Sequence, residues 1–212
     1  MHVWRGTRGG RFTVSPLLAL VLAVAGCAAP DHPAGGGTGS PAPTSTSVQG
    51  DRGAPENPAE PVPEWVDVPT IGAHSSLIPL GLNEDGTVAV PSVQRPMQAG
   101  WYRHGPVPGE VGPAVVLGHV NGDGRDGIFA RLHELGRGDD IRVGRDDGTV
   151  VRFRVTRVSQ VPKERFPSDR VYGDTADPEL RLITCGGEYD EDAESYRDNV
   201  IVYAERPPAR GH

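Results

Sequence analysis

One cysteine lies beyond the first thirty residues of this chain. Cys185 follows the apolar run Leu180-Arg181-Leu182-Ile183-Thr184 and is itself followed by Gly186-Gly187. A thiol at a strand end with glycine behind it is placed for exposure, and its thiolate is a nucleophile. A free thiol titrates near ~8.5, so it is mostly protonated at neutral pH. An imidazolium beside it favours the thiolate and can later protonate a departing amine. A guanidinium presents fixed, permanently charged donors to the oxyanion that such an attack creates. Residues of both types sit at comparable strand ends: His119 closes Ala114-Val115-Val116-Leu117-Gly118, and Arg197 opens Arg197-Asp198-Asn199-Val200-Ile201-Val202-Tyr203. Cys185, His119 and Arg197 together read as one active site. The competing reading of Cys185 alone is a small buried hydrophobe.

Spacing ranks the candidates. Cys185 ends one strand, Arg197 begins the next, and eleven residues lie between them. Antiparallel pairing would face the two ends across roughly 4.8 Å. Arg181 is four residues from Cys185, about 13 Å along an extended strand. Arg197 as a solvated charge paired with Asp198 or Glu194 remains the alternative. His119 competes with His74, His104 and His133. His133 belongs to a stretch of helical spacing and faces solvent, whereas His104, in the turn Tyr102-Arg103-His104-Gly105-Pro106, lines the site without reacting. Asn121-Gly122-Asp123-Gly124-Arg125-Asp126-Gly127 lacks the ordered acids and terminal Glu of an EF-hand and reads as a glycine loop. The acidic run Glu188-Tyr189-Asp190-Glu191-Asp192 reads as a solvated loop, or as a surface for an amine-bearing substrate.

The elements that must position these residues are short. From Trp65 onward, apolar segments alternate with turn signals, the pattern of an all-β barrel or sandwich. The expected strands are His74–Leu82, Thr87–Pro91, Gly100–Tyr102, Ala114–His119, Asp140–Val143, Thr149–Val158, Glu179–Thr184 and Val200–Ala204. Asp85-Gly86 and Asp147-Gly148 are tight-turn signals. Val151, Phe153 and Val155 alternate with arginines, so one face is inward. Only Ile128, Phe129, Leu132 and Leu135, closed by Gly136, have helical spacing. About 145 residues of this kind make one domain.

The N-terminus reads differently. Arg5, Arg8 and Arg11 precede the apolar run Val14 to Ala25, followed by Gly26-Cys27, which describes a secretory signal. Residues 1–27 are therefore a signal peptide ending in a lipobox-like cysteine, or an uncleaved signal anchor. Residues 28–63, rich in Pro, Gly and Ser, are a disordered tether. Residues 64–206 are the folded domain. Removing the first 26 residues takes three of the 21 basic residues and no acid, leaving 18 against 28, a charge of −10. That balance disfavours nucleic acid as a partner. With Cys27 at the membrane, Cys185 has no intramolecular partner, which excludes a disulfide scaffold and a multi-cysteine zinc site. Twenty arginines against a single lysine, Lys163, suggest a high-GC genome such as an actinobacterium's.

Several segments together carry a resemblance: Ile78-Pro79-Leu80-Gly81-Leu82, Gly100-Trp101-Tyr102, Gly118-His119-Val120, Phe129-Ala130-Arg131-Leu132, Val171-Tyr172-Gly173, Arg181-Leu182-Ile183-Thr184-Cys185-Gly186-Gly187 and Asp198-Asn199-Val200-Ile201-Val202-Tyr203-Ala204. In that order they resemble the sortases, cysteine transpeptidases of the Gram-positive surface, and specifically the actinobacterial class F branch. The resemblance implies an eight-stranded sortase-type β-barrel with one or two short helices. It implies that Cys185 attacks the Thr–Gly carbonyl of an LPXTG-like C-terminal sorting signal to give a thioester. His119 then protonates the leaving amine and deprotonates an incoming one, commonly from a peptidoglycan precursor, while Arg197 holds the oxyanion. Thr184, Ile183, His104 and Asn121 are the candidate substrate-binding residues, Asn121 standing where an Asp often follows His-Val in class F wording. No cofactor is implied, and the membrane is a partner only through the N-terminus. Two rival readings are an L,D-transpeptidase, which needs a Ser-His-Gly-Cys-like segment where this chain has Leu-Ile-Thr-Cys-Gly-Gly, and a non-enzymatic surface lipoprotein that binds through the same barrel.

Overall fold

A computed structural model describes residues 61–208. The signal segment, Cys27 and nearly all of the tether lie outside the described residues. Eight strands close a barrel: β1 (Pro63–Val68), β2 (Ala73–Leu80), β3 (Ala99–Tyr102), β4 (Gly112–Leu117), β7 (Asp140–Arg145), β8 (Val150–Pro162), β9 (Pro178–Asp190) and β10 (Ser195–Glu205). Around the barrel they run β1-β2-β3-β4-β9-β10-β8-β7. The β2/β3 and β4/β9 pairs are parallel and the others antiparallel, so the barrel is mixed. A small hairpin, β5 (Asn121–Gly122) and β6 (Arg125–Asp126), stands beside it. One helical turn, α1 (Ser168–Tyr172), lies between β8 and β9.

Two apolar clusters explain the sequence pattern. Val66, Val116, Ile141, Phe153, Leu182 and Val202 fill the barrel interior. Val115, Leu117, Ile183, Ile201 and Tyr203 pack on the outer face under Val171 of α1. β4 is therefore buried at every position, and β9 and β10 are buried over their central runs. Strands covered on both faces read as continuous apolar segments, whereas half-covered strands alternate. β8 alternates as expected, with Val151, Phe153 and Val155 buried and Arg152 and Arg154 exposed. Arg181, within the doubly covered part of β9, is only 3% exposed. Its guanidinium pairs with Glu179 at 2.6 Å and lies over the Tyr203 ring.

The expected barrel is present, with several local differences. β1 was not expected, because Pro61-Val62-Pro63 resembles the tether; proline is tolerated as the first residue of a strand. Thr87–Pro91 is not a strand and contributes one isolated bridge, Leu82 to Val88. Prolines at 91 and 96 remove donors that a ladder requires. The helical spacing at 128–135 yields only a 3₁₀ turn, Leu132–Glu134, although Ile128, Phe129, Leu132 and Leu135 are buried as the spacing demands. β9 does not stop at Cys185 but continues to Asp190, where a four-residue turn leads into β10. The turn Asp147-Gly148 does join β7 to β8, with Gly148 at φ 78° and Thr149 N donating to Asp147 Oδ1 at 2.9 Å.

Phe153 is fully buried at the barrel centre opposite Ile141. Phe153→Ala is expected to lower unfolding stability by about 3–5 kcal/mol, measured by chemical denaturation.

Candidate active site

The parallel pairing of β4 with β9 sets the site. Its last register pair is Leu117 with Ile183. His119 lies two residues past this pair, beyond the end of β4, and Cys185 two residues past it within β9, so the pairing brings both to the same end of adjacent strands. Gly118 N, donating to the Ile183 carbonyl at 3.1 Å, carries this alignment one residue past the end of β4. Beyond it the chain turns sharply: a Cβ on Gly118 would lie 2.5 Å from Ile128 Cγ2, and one on Gly127 would lie 2.2 Å from the His119 carbonyl oxygen. Only glycine lets the 118–129 loop fold back this closely, and Phe129 N then donates to the His119 carbonyl at 3.0 Å.

His119 and Cys185 line one cavity of about 310 Å³ together with Asn121, Lys163, Ile183, Thr184, Ser195, Tyr196 and Asn199. The His119 ring is fixed by its Nε2, 2.6 Å from the Pro91 carbonyl oxygen. A carbonyl only accepts, so Nε2 carries hydrogen and Nδ1 is the basic atom of the neutral ring. The 87–91 segment thus supplies an acceptor for the histidine rather than a strand. Across the cavity Asn121 Nδ2 donates to Tyr196 Oη at 2.7 Å, tying the loop after His119 to β10.

Cys185 is partly exposed and has no disulfide partner among the described residues. Burial pushes its thiol above the ordinary range, and Lys163 opposes this through its charge and a hydrogen bond. Lys163 follows β8 and its Nζ donates to Ser195 Oγ at 2.7 Å. Directly opposite Cys185 in the antiparallel β9/β10 ladder stands Asn199, not Arg197. Asn199 is 0% exposed, and among the described residues both of its side-chain polar atoms lack a partner, as does Thr184 Oγ1. A buried polar group left unsatisfied costs roughly 1–3 kcal/mol.

The other sequence candidates are spread out. Ile183, Thr184 and Asn121 are in the cavity wall. Arg197 sits at an irregularity in the register between Tyr196 and Asp198, outside that wall. Its Nε donates to Asp190 Oδ2 at 3.3 Å and its Nη1 to Glu188 Oε2 at 3.2 Å, and its side chain is 58% exposed. The expectation of facing strand ends took β9 to stop at Cys185. Because β9 continues, Arg197 opposes the acidic run instead, and that run is part of the hairpin. His104 is also outside the wall: its ring meets Tyr102 edge-on at 5.7 Å, and Arg103 Nε donates to its Nε2 at 3.4 Å. His74 is exposed beside Asp67, and His133 is exposed as expected. Lys163 and Asn199 were not singled out from sequence. Their signals were available: one is the only lysine, the other an amide at the edge of an apolar strand.

A closed mixed barrel with a cysteine on one strand and a histidine just past the end of its parallel neighbour defines the class of protein. The sortase-domain family profile matches residues 66–207, and the chain belongs to the sortase family, the cysteine transpeptidases that act on C-terminal sorting signals. Among solved structures the chain is similar to sortase A from Corynebacterium diphtheriae in a lid mutant, with 20% identity and a TM-score of 0.54 over 72% of this chain and 74% of that one. It is also similar to sortase C-1 from Actinomyces oris, with 20% identity and a TM-score of 0.53 over 68% and 73%. Sortase C2 of pilus island 1 from Group B Streptococcus gives 18% and 0.53 over 68% and 73%. At such identities the likeness is one of fold. No curated protein matches the chain.

Removing the Lys163 charge leaves burial of the thiol unopposed, so the Cys185 pKa must rise. In Lys163→Met the pH profile of iodoacetamide alkylation is expected to move to higher pH, with slower alkylation at neutral pH and a recovered rate in alkali. An unchanged profile would show that the ammonium does not act on the thiol.

Proposed function

We propose that this sortase is an extracytoplasmic transpeptidase of the actinobacterial class F branch. It cleaves an LPXTG-like signal between Thr and Gly and transfers the acyl group to an amine. The observation that carries this reading is the placement of His119 and Cys185 in one cavity. As Cys185 Sγ bonds to the threonine carbonyl carbon, its proton passes to His119 and the carbonyl π pair moves to oxygen. Collapse of that intermediate breaks the C–N bond, and the proton goes from His119 to the departing glycine amine. The product is a thioester on Cys185. An incoming amine, in this reading from a peptidoglycan precursor, loses its proton to His119 and attacks the thioester, and Sγ departs with the electron pair of the broken C–S bond.

A thiol held above its ordinary pKa rests protonated at neutral pH, which suits transfer of its proton to histidine during attack. Arg197 is assigned to the oxyanion in this reading. To reach it, the guanidinium must leave Glu188 and Asp190, and exposed ion pairs of this kind are weak. Thr184, Ile183 and Asn121 shape the wall along the substrate's sorting signal. The N-terminal 27 residues attach the protein to the outer face of the membrane, through lipid on Cys27 or as a signal anchor, and residues 28–63 hold the barrel away from it. Among the described residues no helix is long and apolar enough to cross a membrane.

Incubating the domain with a library of LPXTG-like peptides and a small amine tests the reading by mass spectrometry. The expected result is an acyl adduct on Cys185 and transfer to the amine, both absent in Cys185→Ala. His119→Ala is expected to slow turnover by about 10²–10⁴-fold. Turnover in Arg197→Ala equal to that of the unaltered protein would remove that residue from the mechanism.

A further inference from the structure

Asn199 faces the nucleophile across the ladder, and among the described residues neither of its buried side-chain polar atoms has a partner. Residues directly opposite on antiparallel strands hold their Cβ atoms about 4.5–5.5 Å apart on the same side of the sheet. The carboxamide and the Cys185 thiol are therefore neighbours by register. Asn199 pairs with Val161 on β8 and with Cys185 on β9, and it shares its wall with the apolar Ile183 and Leu117 as well as the polar Lys163 and Ser195. A fully buried amide is costly unless something completes its hydrogen bonds, and among the described residues nothing does. A carboxamide offers donors at Nδ2 and an acceptor at Oδ1, the complement of a peptide group.

We propose that Asn199 Nδ2 is a fixed hydrogen-bond donor to the carbonyl oxygen of the acyl group attacked by Cys185. The assignment deepens the transpeptidase reading and rests on it for the identity of the acyl donor. It differs from the role given to Arg197 in one physical respect. Arg197 must first be released from two carboxylates, whereas Asn199 stands opposite the thiol with no described partner to leave, and only the cover over its sealed carboxamide must shift as the acyl group enters. Donors held in a water-poor wall before charge develops stabilise an oxyanion more than donors that must reorganise. The chemistry is that of any acyl transfer to sulfur: the S–C bond forms, the carbonyl pair moves to oxygen within reach of Nδ2, and collapse expels the leaving group with its electron pair.

Two small reagents separate this role from a structural one. p-Nitrophenyl acetate acylates Cys185 through an oxyanion and releases p-nitrophenolate; iodoacetamide alkylates the same sulfur by displacing iodide, without one. In Asn199→Leu, acylation by the ester is expected to fall by about 10²-fold or more, as for loss of one oxyanion donor. Alkylation should stay within twofold. Because an unpartnered amide gives way to an apolar side chain of similar size, the melting temperature should hold or rise. Asn199→Ala, which cannot overpack the wall, serves if the leucine variant does not fold. Equal losses with both reagents, or no loss with the ester, would overturn the assignment. So would an unaltered protein whose thiol alkylates but is not acylated by the ester. If the ester shows the selective loss while no sorting-signal peptide is turned over, the transpeptidase reading fails and the Asn199 assignment stands.

Discussion

The pairing of Leu117 with Ile183 is the contact on which the site depends. It is a parallel pair between strands far apart in sequence, and it brings the histidine-bearing chain level with the cysteine-bearing one. Neither residue acts chemically. Both are buried in the outer apolar cluster, under the layer that includes α1. Apolar burial is non-directional, but the ladder hydrogen bonds beneath it are not. A shift of one residue in this register would send His119 or Cys185 to the opposite face of the sheet. The continuous burial of β4 and of the centres of β9 and β10 is thus what gives the site its precision.

Placing a thiol at the edge of such a core has an electrostatic consequence. Burial disfavours the thiolate, and Lys163 offsets part of that effect. Lys163 reaches the cavity because β8 is long enough, thirteen residues, to deliver its end beside β10, where Ser195 Oγ receives the ammonium's hydrogen bond. The same hairpin that carries Cys185 turns its acidic residues toward Arg197. Positive charge is therefore distributed in two ways around the cavity: one cation acting on the sulfur, another held on carboxylates outside the wall.

Much of the barrel was legible in the sequence because its strands obey two simple patterns. Full burial produced the runs around Val115, Leu182 and Ile201, and half burial produced the alternation through Phe153. The misses have physical causes. Pro63 disguised β1 as tether, and the diglycine after Cys185 looked like a strand end. Gly187 at φ 75° instead lies where the ladder shifts register, and the hairpin continues past it. Taking β9 to end at Cys185 put Arg197 at a facing strand end, whereas it is the third residue of β10 and pairs with the acidic run beyond Cys185. The 3₁₀ turn at Leu132 shows that helical spacing can be satisfied by a loop wrapped over a core.

Sequence alone determined the chemistry available: one thiol free of any pairing partner in the folded domain, a histidine after a buried run and glycine, and barrel strands to carry them. These follow from residue type and from short-range periodicity, which are local properties of a chain. The tertiary structure decided which side chains stand near the sulfur. Asn199 rather than Arg197 opposes it, Lys163 arrives from β8, and the Pro91 carbonyl fixes the imidazole. Those neighbours are set by strand register and by chain segments 14 to 94 residues away from the cysteine in sequence. No local pattern encodes such distances; only closure of the barrel does.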